Sequence, residues 1–268
     1  MSDKRFGFKV VGSDKSDSRQ RRGVYLLPNL ITTGAMFGGF FAIVAGVDGK
    51  FMAAAVAVFI SMVLDALDGR VARLTKTESS FGAQFDSLSD MVAFGVAPAL
   101  IVFEWGLQSL TTFGWLATFV YMACAALRLA RFNISGDSRF FTGLPSPMAA
   151  CVLAGGVWLF SDIGVVEPSL WISIGAAFLV VTIGILMVTN VRYFSPKVFR
   201  VKGRVPFVVL VLTTLGLAII FANPPLVLFT VGVGYTLSGP VNLLWEMYRG
   251  PRESDEEIEE EDLDEDQI

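Results

Sequence analysis

Four aspartates lie within one short stretch of the chain, residues 64–94, that joins two apolar segments. They are Asp65, Asp68, Asp86 and Asp90. The first two are three residues apart and the last two are four apart, so each pair would occupy one face of a helix. A polar connection at residues 75–80 would let two such helices run antiparallel with the carboxylates facing each other. Facing carboxylates repel one another and take up protons unless cations are bound, so we expect a cation pair between them.

The absence of histidine from the sequence restricts the chemistry further. It excludes histidine-dependent nucleophile systems such as the Ser-His-Asp triad, and it excludes histidine-ligated metals. The two cysteines, Cys124 and Cys151, fall inside apolar segments. We interpret them as buried small side chains rather than as a disulfide or a metal site. Ligation by oxygen alone favours hard cations, so we expect two divalent ions, Mg²⁺ or Mn²⁺.

The residues between the aspartates suit a substrate that contains a diphosphate. Gly69 and Gly82 carry no side chain and allow a ligand to approach the backbone closely. Arg73 lies about one helical turn beyond Gly69 and could donate hydrogen bonds to phosphate oxygens. Two divalent cations could hold the attacking and leaving oxygens of a phosphoryl group. The pattern therefore indicates phosphoryl transfer at a metal site.

The spacing of these residues resembles the signature of the CDP-alcohol phosphotransferase family. The matching pattern is Asp65-x2-Asp68-Gly69-x2-Ala72-Arg73-x8-Gly82-x3-Asp86-x3-Asp90. The resemblance implies that the four aspartates hold two divalent metals and that Asp90 also removes the proton from the acceptor hydroxyl. A Pro-Asn pair that opens the first apolar segment is similar to the start of the family as well. The residues that the resemblance implies for binding of the CDP-lipid are Asn29, Gly69, Arg73 and Gly82.

Three stretches outside the signature are similar to the membrane-integral phosphatidylserine synthases: residues 126–133, 143–147 and 190–197. This resemblance implies CDP-diacylglycerol and L-serine as substrates, phosphatidylserine and CMP as products, and a homodimer. Serine carries a carboxylate and an ammonium group, so its pocket needs fixed cations and a polar side chain. Arg131 is the strongest single candidate, although cations at the ends of spans are also explained as topology signals. The candidate serine-binding residues are Arg128, Arg131, Asn133, Arg192 and Lys197.

Two other functions are compatible with the residues. The same transfer could use another acceptor alcohol, such as glycerol 3-phosphate or an inositol phosphate, because residues 192–204 carry five basic side chains. Alternatively, the aspartates could form an ion path in an ion-coupled transporter, where intramembrane carboxylates also occur. A transporter would not require the two glycines and the arginine at these offsets. Metal-dependent release of CMP distinguishes a transferase from a transporter.

Composition predicts an all-α bundle of transmembrane helices. The chain has 268 residues, of which 53% are hydrophobic, and its mean hydropathy is +0.60. The apolar residues form long blocks, which is typical of membrane spans. We expect six small residues to let helices approach closely: Gly38, Gly39, Gly155, Gly156, Gly232 and Gly234. We expect about eight spans, with six to eight possible, at roughly residues 28–47, 51–67, 83–105, 112–132, 147–162, 168–189, 205–222 and 225–245.

The distribution of charge predicts the orientation and the domain organisation. All 21 lysines and arginines except Lys50 lie in alternate connections, so the positive-inside rule makes that side cytoplasmic and places both termini there. The formal net charge of the chain is −4, but residues 1–252 carry a net positive charge. The reason is that the last 16 residues, 253–268, hold 11 of the 25 acidic side chains. No cleavable leader is expected, since the start of the chain is polar and basic. We expect a basic arm (1–27), a transferase domain (28–248) and a disordered acidic tail (249–268), in a bacterial inner membrane with the active site facing the cytoplasm.

Overall fold

The computed structural model describes residues 15–134, 143–191, 193 and 207–249. Within these ranges the regular structure is helical and contains no strand, which confirms the predicted all-α class. Arg192, Lys197 and nearly all of the predicted acidic tail lie outside the described residues. A π-helical turn (Met91–Val96) connects the helix Ser80–Asp90 to the helix Ala97–Trp105, and a 3₁₀ turn (Leu107–Leu110) follows the second of these. The helices are α1 (Lys15–Val47), α2 (Phe51–Thr75), α3 (Ser80–Asp90), α4 (Ala97–Trp105), α5 (Thr112–Ile134), α6 (Ser146–Asp162), α7 (Leu170–Val188), α8 (Phe207–Ala222) and α9 (Pro224–Arg249).

Six helical segments in the described part of the chain are long and apolar enough to cross a membrane. This number is the lower end of the predicted range of six to eight. Helix α6, with 17 residues, and the apolar part of α8, Val209–Ala222, are shorter. The chain is therefore an integral membrane protein with a helical bundle. The six candidate spans are Leu26–Val47, Phe51–Thr75, Ser80–Trp105, Thr112–Ile134, Leu170–Val188 and Pro224–Trp245.

Small residues bring α1 close to the helices that carry the aspartates. A Cβ atom at Gly39 would lie 2.6 Å from the Cα atom of Ala93, and one at Gly38 would overlap the hydroxyl group of Ser61 on α2. Only a glycine allows backbones to come this close. Helix α1 consequently packs along α2 and also contacts α3 and the turn that follows it.

A second close contact, between α6 and α9, involves three of the small residues for which the sequence predicted close helix packing. Gly155 and Gly156 of α6 face Phe229 of α9, and Gly232 of α9 faces α6 in return. Gly234 behaves differently, because no atom of the described residues lies within 4 Å of the place where its Cβ would stand. The prediction that Gly234 allows a close helix contact is therefore wrong.

A short turn joins α2 to α3 at the helix ends that carry the aspartates. Lys76 ends α2 in a left-handed backbone conformation, with φ at 54°, and its N–H donates to carbonyls of the last helical turn. Ser79 begins α3 as its N-cap, and its hydroxyl group accepts the N–H of Gly82 at 3.0 Å. The carboxyl end of α2 and the amino end of α3 are thereby held side by side.

Candidate active site

The four aspartates of the signature come together at one end of the bundle. One carboxylate oxygen from each of Asp65, Asp68 and Asp86 lies within 4.8 Å of the other two. Asp90, one turn beyond Asp86, lies close enough to Asp65 for the two carboxyl groups to interact. Helices α2 and α3 thus each contribute two carboxylates to one group, which we call the aspartate cluster.

The donor atoms of the aspartate cluster fit divalent cations. Carboxylate oxygens are the ligands that Mg²⁺ and Mn²⁺ prefer in proteins. The Oδ1 atom of Asp86 is buried and has no hydrogen-bond partner within the described part of the chain. A buried carboxylate oxygen without a partner costs free energy, and a bound cation would supply the missing partner.

Thr32 of α1 supports the aspartate cluster, although the sequence did not identify it. Its hydroxyl group donates to Oδ2 of Asp68 at 2.6 Å and lies 3.0 Å from the carbonyl oxygen of Pro28. The carbonyl oxygen of Thr32 accepts a hydrogen bond from Ser89 of α3 at 3.1 Å. One residue of α1 therefore contacts both helices that carry the aspartates. Its position three residues after Asn29, on the same helix face, is the signal that could have indicated it.

A cleft of about 230 Å³ opens beside the aspartate cluster. Two of the aspartates, Asp68 and Asp86, belong to its wall. A Cβ at Gly82 would lie 3.1 Å from Oγ of Ser79 and 3.6 Å from Oδ1 of Asn29. One at Gly69 would lie 3.7 Å from the guanidinium group of Arg73, so a side chain at either glycine would take up space beside other cleft residues. The cleft brings together all four residues predicted for the CDP-lipid: Asn29, Gly69, Arg73 and Gly82. Other lining residues that the sequence did not identify include Thr77, Glu78 and Ser79.

Arg128 of α5 is the predicted serine-binding residue whose charge the structure links to the aspartate cluster. Its positive charge acts on Asp90. One guanidinium nitrogen, Nη1, donates to the buried hydroxyl group of Ser146 at 2.9 Å. The Nε atom is buried and finds no hydrogen-bond acceptor among the residues that the structure describes. Arg128 is therefore held in place, and its Nε–H group remains available as a hydrogen-bond donor.

Arg131 and Asn133 lie at the exposed end of α5 and contact residues beyond this helix. Arg131 donates to Oδ1 of Asn190 at 2.8 Å. Asn133 accepts from the hydroxyl group of Ser87 at 2.9 Å and donates to Gln84 at 3.3 Å, so it contacts α3. These two predicted serine-binding residues thus link α5 to its neighbours. The other two predicted residues, Arg192 and Lys197, lie outside the described part.

Residues 25–221 match one protein family, described as CDP-alcohol phosphatidyltransferase. The matched region contains the aspartate cluster and every residue of the cleft. The chain belongs to this family. As a CDP-alcohol phosphatidyltransferase with membrane-spanning helices, it is a transferase of phospholipid synthesis. The aspartate cluster and the adjoining cleft are its candidate active site.

Individual relatives show how far the similarity extends. A Helicobacter pylori (strain 26695) protein named CDP-diacylglycerol–serine O-phosphatidyltransferase is 38% identical over 235 residues, which cover 84% of this chain and 94% of the relative. A protein of the same name from Helicobacter pylori (strain J99) is 40% identical over 209 residues, covering 75% and 84% of the two chains. A crystal structure of Mycobacterium tuberculosis phosphatidylinositol phosphate synthase with manganese and citrate gives a TM-score of 0.45 at 22% identity, over 64% of this chain and 82% of that chain.

Proposed function

We propose that this chain transfers the phosphatidyl group of CDP-diacylglycerol to the hydroxyl group of L-serine, which gives phosphatidylserine and CMP. The observation that carries the proposal is that Asp68 and Asp86 belong both to the aspartate cluster and to the wall of the cleft. A diphosphate bound in the cleft would therefore lie beside the carboxylates. The names of the two Helicobacter pylori relatives support serine as the acceptor.

The aspartate cluster would hold two divalent cations, Mg²⁺ or Mn²⁺, through Asp65, Asp68 and Asp86, with Asp90 as a further ligand. When bound, these cations supply positive charge that neutralises the diphosphate and the departing CMP. The 4.8 Å grouping of three carboxylate oxygens supports this assignment. The hydrogen bond from Thr32 supports it further, because a ligating carboxylate is usually oriented by a second hydrogen bond.

The residues of the chain divide the remaining work between binding and proton transfer. The CDP-lipid binds in the cleft through Asn29, Gly69, Arg73 and Gly82. Its acyl chains stay in the bilayer. Asp90 accepts the proton of the serine hydroxyl group. That oxygen forms a bond to the phosphorus that carries diacylglycerol, and the bond from this phosphorus to the CMP oxygen breaks. Direct displacement is favoured, since no histidine occurs in the chain to act as a covalent nucleophile.

Positively charged side chains close to Asp90 would hold serine. Arg128 is the leading residue for this role, because it acts electrostatically on Asp90 and its buried Nε is available as a donor within the described structure. An arginine fork matches the geometry of a carboxylate. We propose Arg131, Asn133, Arg192 and Lys197 as further serine-binding residues. Arg131 and Asn133 would act from the exposed end of α5.

We propose that the enzyme lies in a bacterial inner membrane as a homodimer, with the active site and both termini on the cytoplasmic side. The charge pattern supports this orientation, because every basic residue except Lys50 lies in alternate connections. The proposed domain boundaries are an arm at 1–27, a transferase domain at 28–248 and an acidic tail at 249–268. The aspartate cluster then faces the compartment that holds serine and receives CMP.

An acceptor assay tests this function directly. The purified protein is incubated with CDP-diacylglycerol, Mn²⁺ or Mg²⁺ and each labelled alcohol in turn. We expect CMP release and a labelled lipid with serine, and neither product when a chelator removes the divalent cation. Product with glycerol 3-phosphate or an inositol phosphate, and none with serine, would reassign the acceptor. Absence of CMP release with every alcohol would favour the transporter instead.

A further inference from the structure

The helix that carries Asp86 and Asp90 is not regular along its length. Immediately after Asp90 the chain enters the π-helical turn, and α4 then continues without a break. At the end of the turn, the N–H of Ala97 donates to the carbonyl oxygen of Val92, five residues earlier. A π-helical turn inserts one residue into an α-helix, which rotates the segments on its two sides by about 100° relative to each other. The direction of Asp90 relative to the buried face of α4 therefore depends on this turn.

Pro98 explains why the irregularity lies at this point. It is in the first turn of α4. Proline has no N–H, and its ring clashes with the carbonyl group four residues earlier, which here belongs to Phe94. Phe94 is 0% exposed, so water does not reach its carbonyl oxygen, and a donor from within the protein must satisfy it.

Tyr121 of α5 supplies a donor to this carbonyl oxygen. Its hydroxyl group donates to the Phe94 oxygen at 2.9 Å, and its side chain is 0% exposed. Four residues later on the same face of α5, the Cβ of Ala125 would lie 3.4 Å from a Cβ at Gly95. Helix α5 thus packs directly against the π-helical turn. The contact continues one turn further along α5, where Arg128 acts on Asp90.

We propose that Tyr121 is a positioning residue for Asp90. Its hydrogen bond fixes the π-helical turn, and the turn fixes the direction in which Asp90 points into the aspartate cluster. This inference rests on the proposed function, in which Asp90 accepts the proton of serine. Without the hydroxyl group, the carbonyl of Phe94 loses this partner and the turn can change its hydrogen-bond register. Asp90 would then rotate away from Asp65 while the cleft residues on α1 and α2 keep their places.

The substitution Tyr121→Phe removes the hydroxyl group and keeps the ring. At saturating Mn²⁺ we expect kcat to fall about tenfold, since a small misplacement of a reacting group is costly. We expect KM for CDP-diacylglycerol to change less than about twofold. The reason is that the hydrogen bond of Tyr121 goes to Phe94, which does not line the cleft. Amide hydrogen exchange provides a readout that does not depend on activity. Peptides that cover residues 91–97 should exchange faster than in the unsubstituted protein.

Tyr193→Phe is a matched control. The Tyr193 hydroxyl group also donates to a backbone carbonyl, that of Thr236 on α9 at 3.3 Å, and its side chain is 5% exposed. Burial raises the pKa of Tyr193 to about 12, so this group stays a donor at any assay pH. Tyr193→Phe should lower the melting temperature comparably and should leave exchange at residues 91–97 unchanged. A kcat for Tyr121→Phe within about twofold of the unsubstituted value, or equal to that of Tyr193→Phe, would overturn the inference.

The experiment separates this inference from the proposed function. If Tyr121→Phe retains full kcat while Asp90→Asn is inactive, Asp90 keeps its role and Tyr121 loses the one proposed here. If Asp90→Asn is itself fully active, Asp90 is not the base, and the inference loses its premise whatever Tyr121→Phe does. If the unsubstituted protein releases no CMP with serine, the proposed function itself fails.

Discussion

Replacing Asp90 with asparagine is expected to lower kcat for serine-dependent CMP release by about 10³-fold, which lies within the range for loss of a general base. Asparagine keeps the size of the side chain and cannot accept the proton of the serine hydroxyl group. Mn²⁺ affinity should fall less than in Asp86→Asn, because Asp90 lies outside the three-oxygen group of Asp65, Asp68 and Asp86. Steady-state kinetics and Mn²⁺ titration by electron paramagnetic resonance measure the two effects separately.

Binding of the CDP-lipid is the internal control for Asp90→Asn. Asp90 does not line the cleft, so the affinity for CDP-diacylglycerol should stay within about threefold of the unsubstituted value, as for a residue that acts only in the transition state. Normal turnover in this variant would remove Asp90 as the base. Equal losses of turnover and of CDP-lipid binding would instead indicate a general disturbance of the site.

Replacing Asp86 with asparagine is expected to give the second large effect, through loss of the metal. Asp86 belongs to the three-oxygen group and carries the buried Oδ1 that has no other partner within the described residues. We expect Mn²⁺ affinity to fall at least about 100-fold, since the loss of a ligand should exceed the 10–100-fold effect of an outer-shell partner. Activity should reappear in part at high Mn²⁺ concentration. Mn²⁺ titrations of binding and of CMP release check both statements.

Asp162→Asn serves as the matched control for Asp86→Asn. Asp162 is the last residue of α6 and is exposed, so the same chemical change there should leave Mn²⁺ affinity and kcat unaltered. If Asp86→Asn binds Mn²⁺ as tightly as Asp162→Asn does, the aspartate cluster is not the metal site that we propose.

The aspartate cluster could be predicted from the sequence because helical spacing sets which residues share a face. Offsets of three and four residues put each aspartate pair on one side of its helix, and a short turn then brought the two sides together. The cleft followed from the same reasoning, since Gly69 and Gly82 leave space where side chains would stand. The other wall of the cleft is formed by α1. In the sequence, the only indication of this wall was Asn29, through the resemblance of the Pro-Asn pair to the start of the family.

The contribution of α5 was harder to predict, because it depends on how far the helix is rotated in the bundle. Arg128 and Arg131 are three residues apart and lie near the same end, so spacing alone could not separate them. Packing of Tyr121 and Ala125 against the π-helical turn directs Arg128 towards Asp90, while Arg131 reaches Asn190. The sequence therefore favoured Arg131, whereas in the structure the charge of Arg128 acts on Asp90.

The sequence contains the cause of the π-helical turn, but an analysis of helical periodicity does not detect it. Pro98 stands inside an apolar segment that is long enough to span the membrane. Proline predicts an unpaired carbonyl four residues earlier, but it does not show which side chain will satisfy it. Only tertiary packing identifies Tyr121 as that partner. The same limit applies to Thr32, whose bond to Asp68 joins residues that are 36 positions apart.

The most direct test of the central claim is a Mn²⁺ titration of chelator-treated protein in detergent. Bound Mn²⁺ is counted by electron paramagnetic resonance, and serine-dependent CMP release is measured in the same samples. We expect two Mn²⁺ ions per chain, and we expect CMP release to rise with their occupancy from a baseline of no activity. Full CMP release from protein that holds no divalent cation would contradict the account.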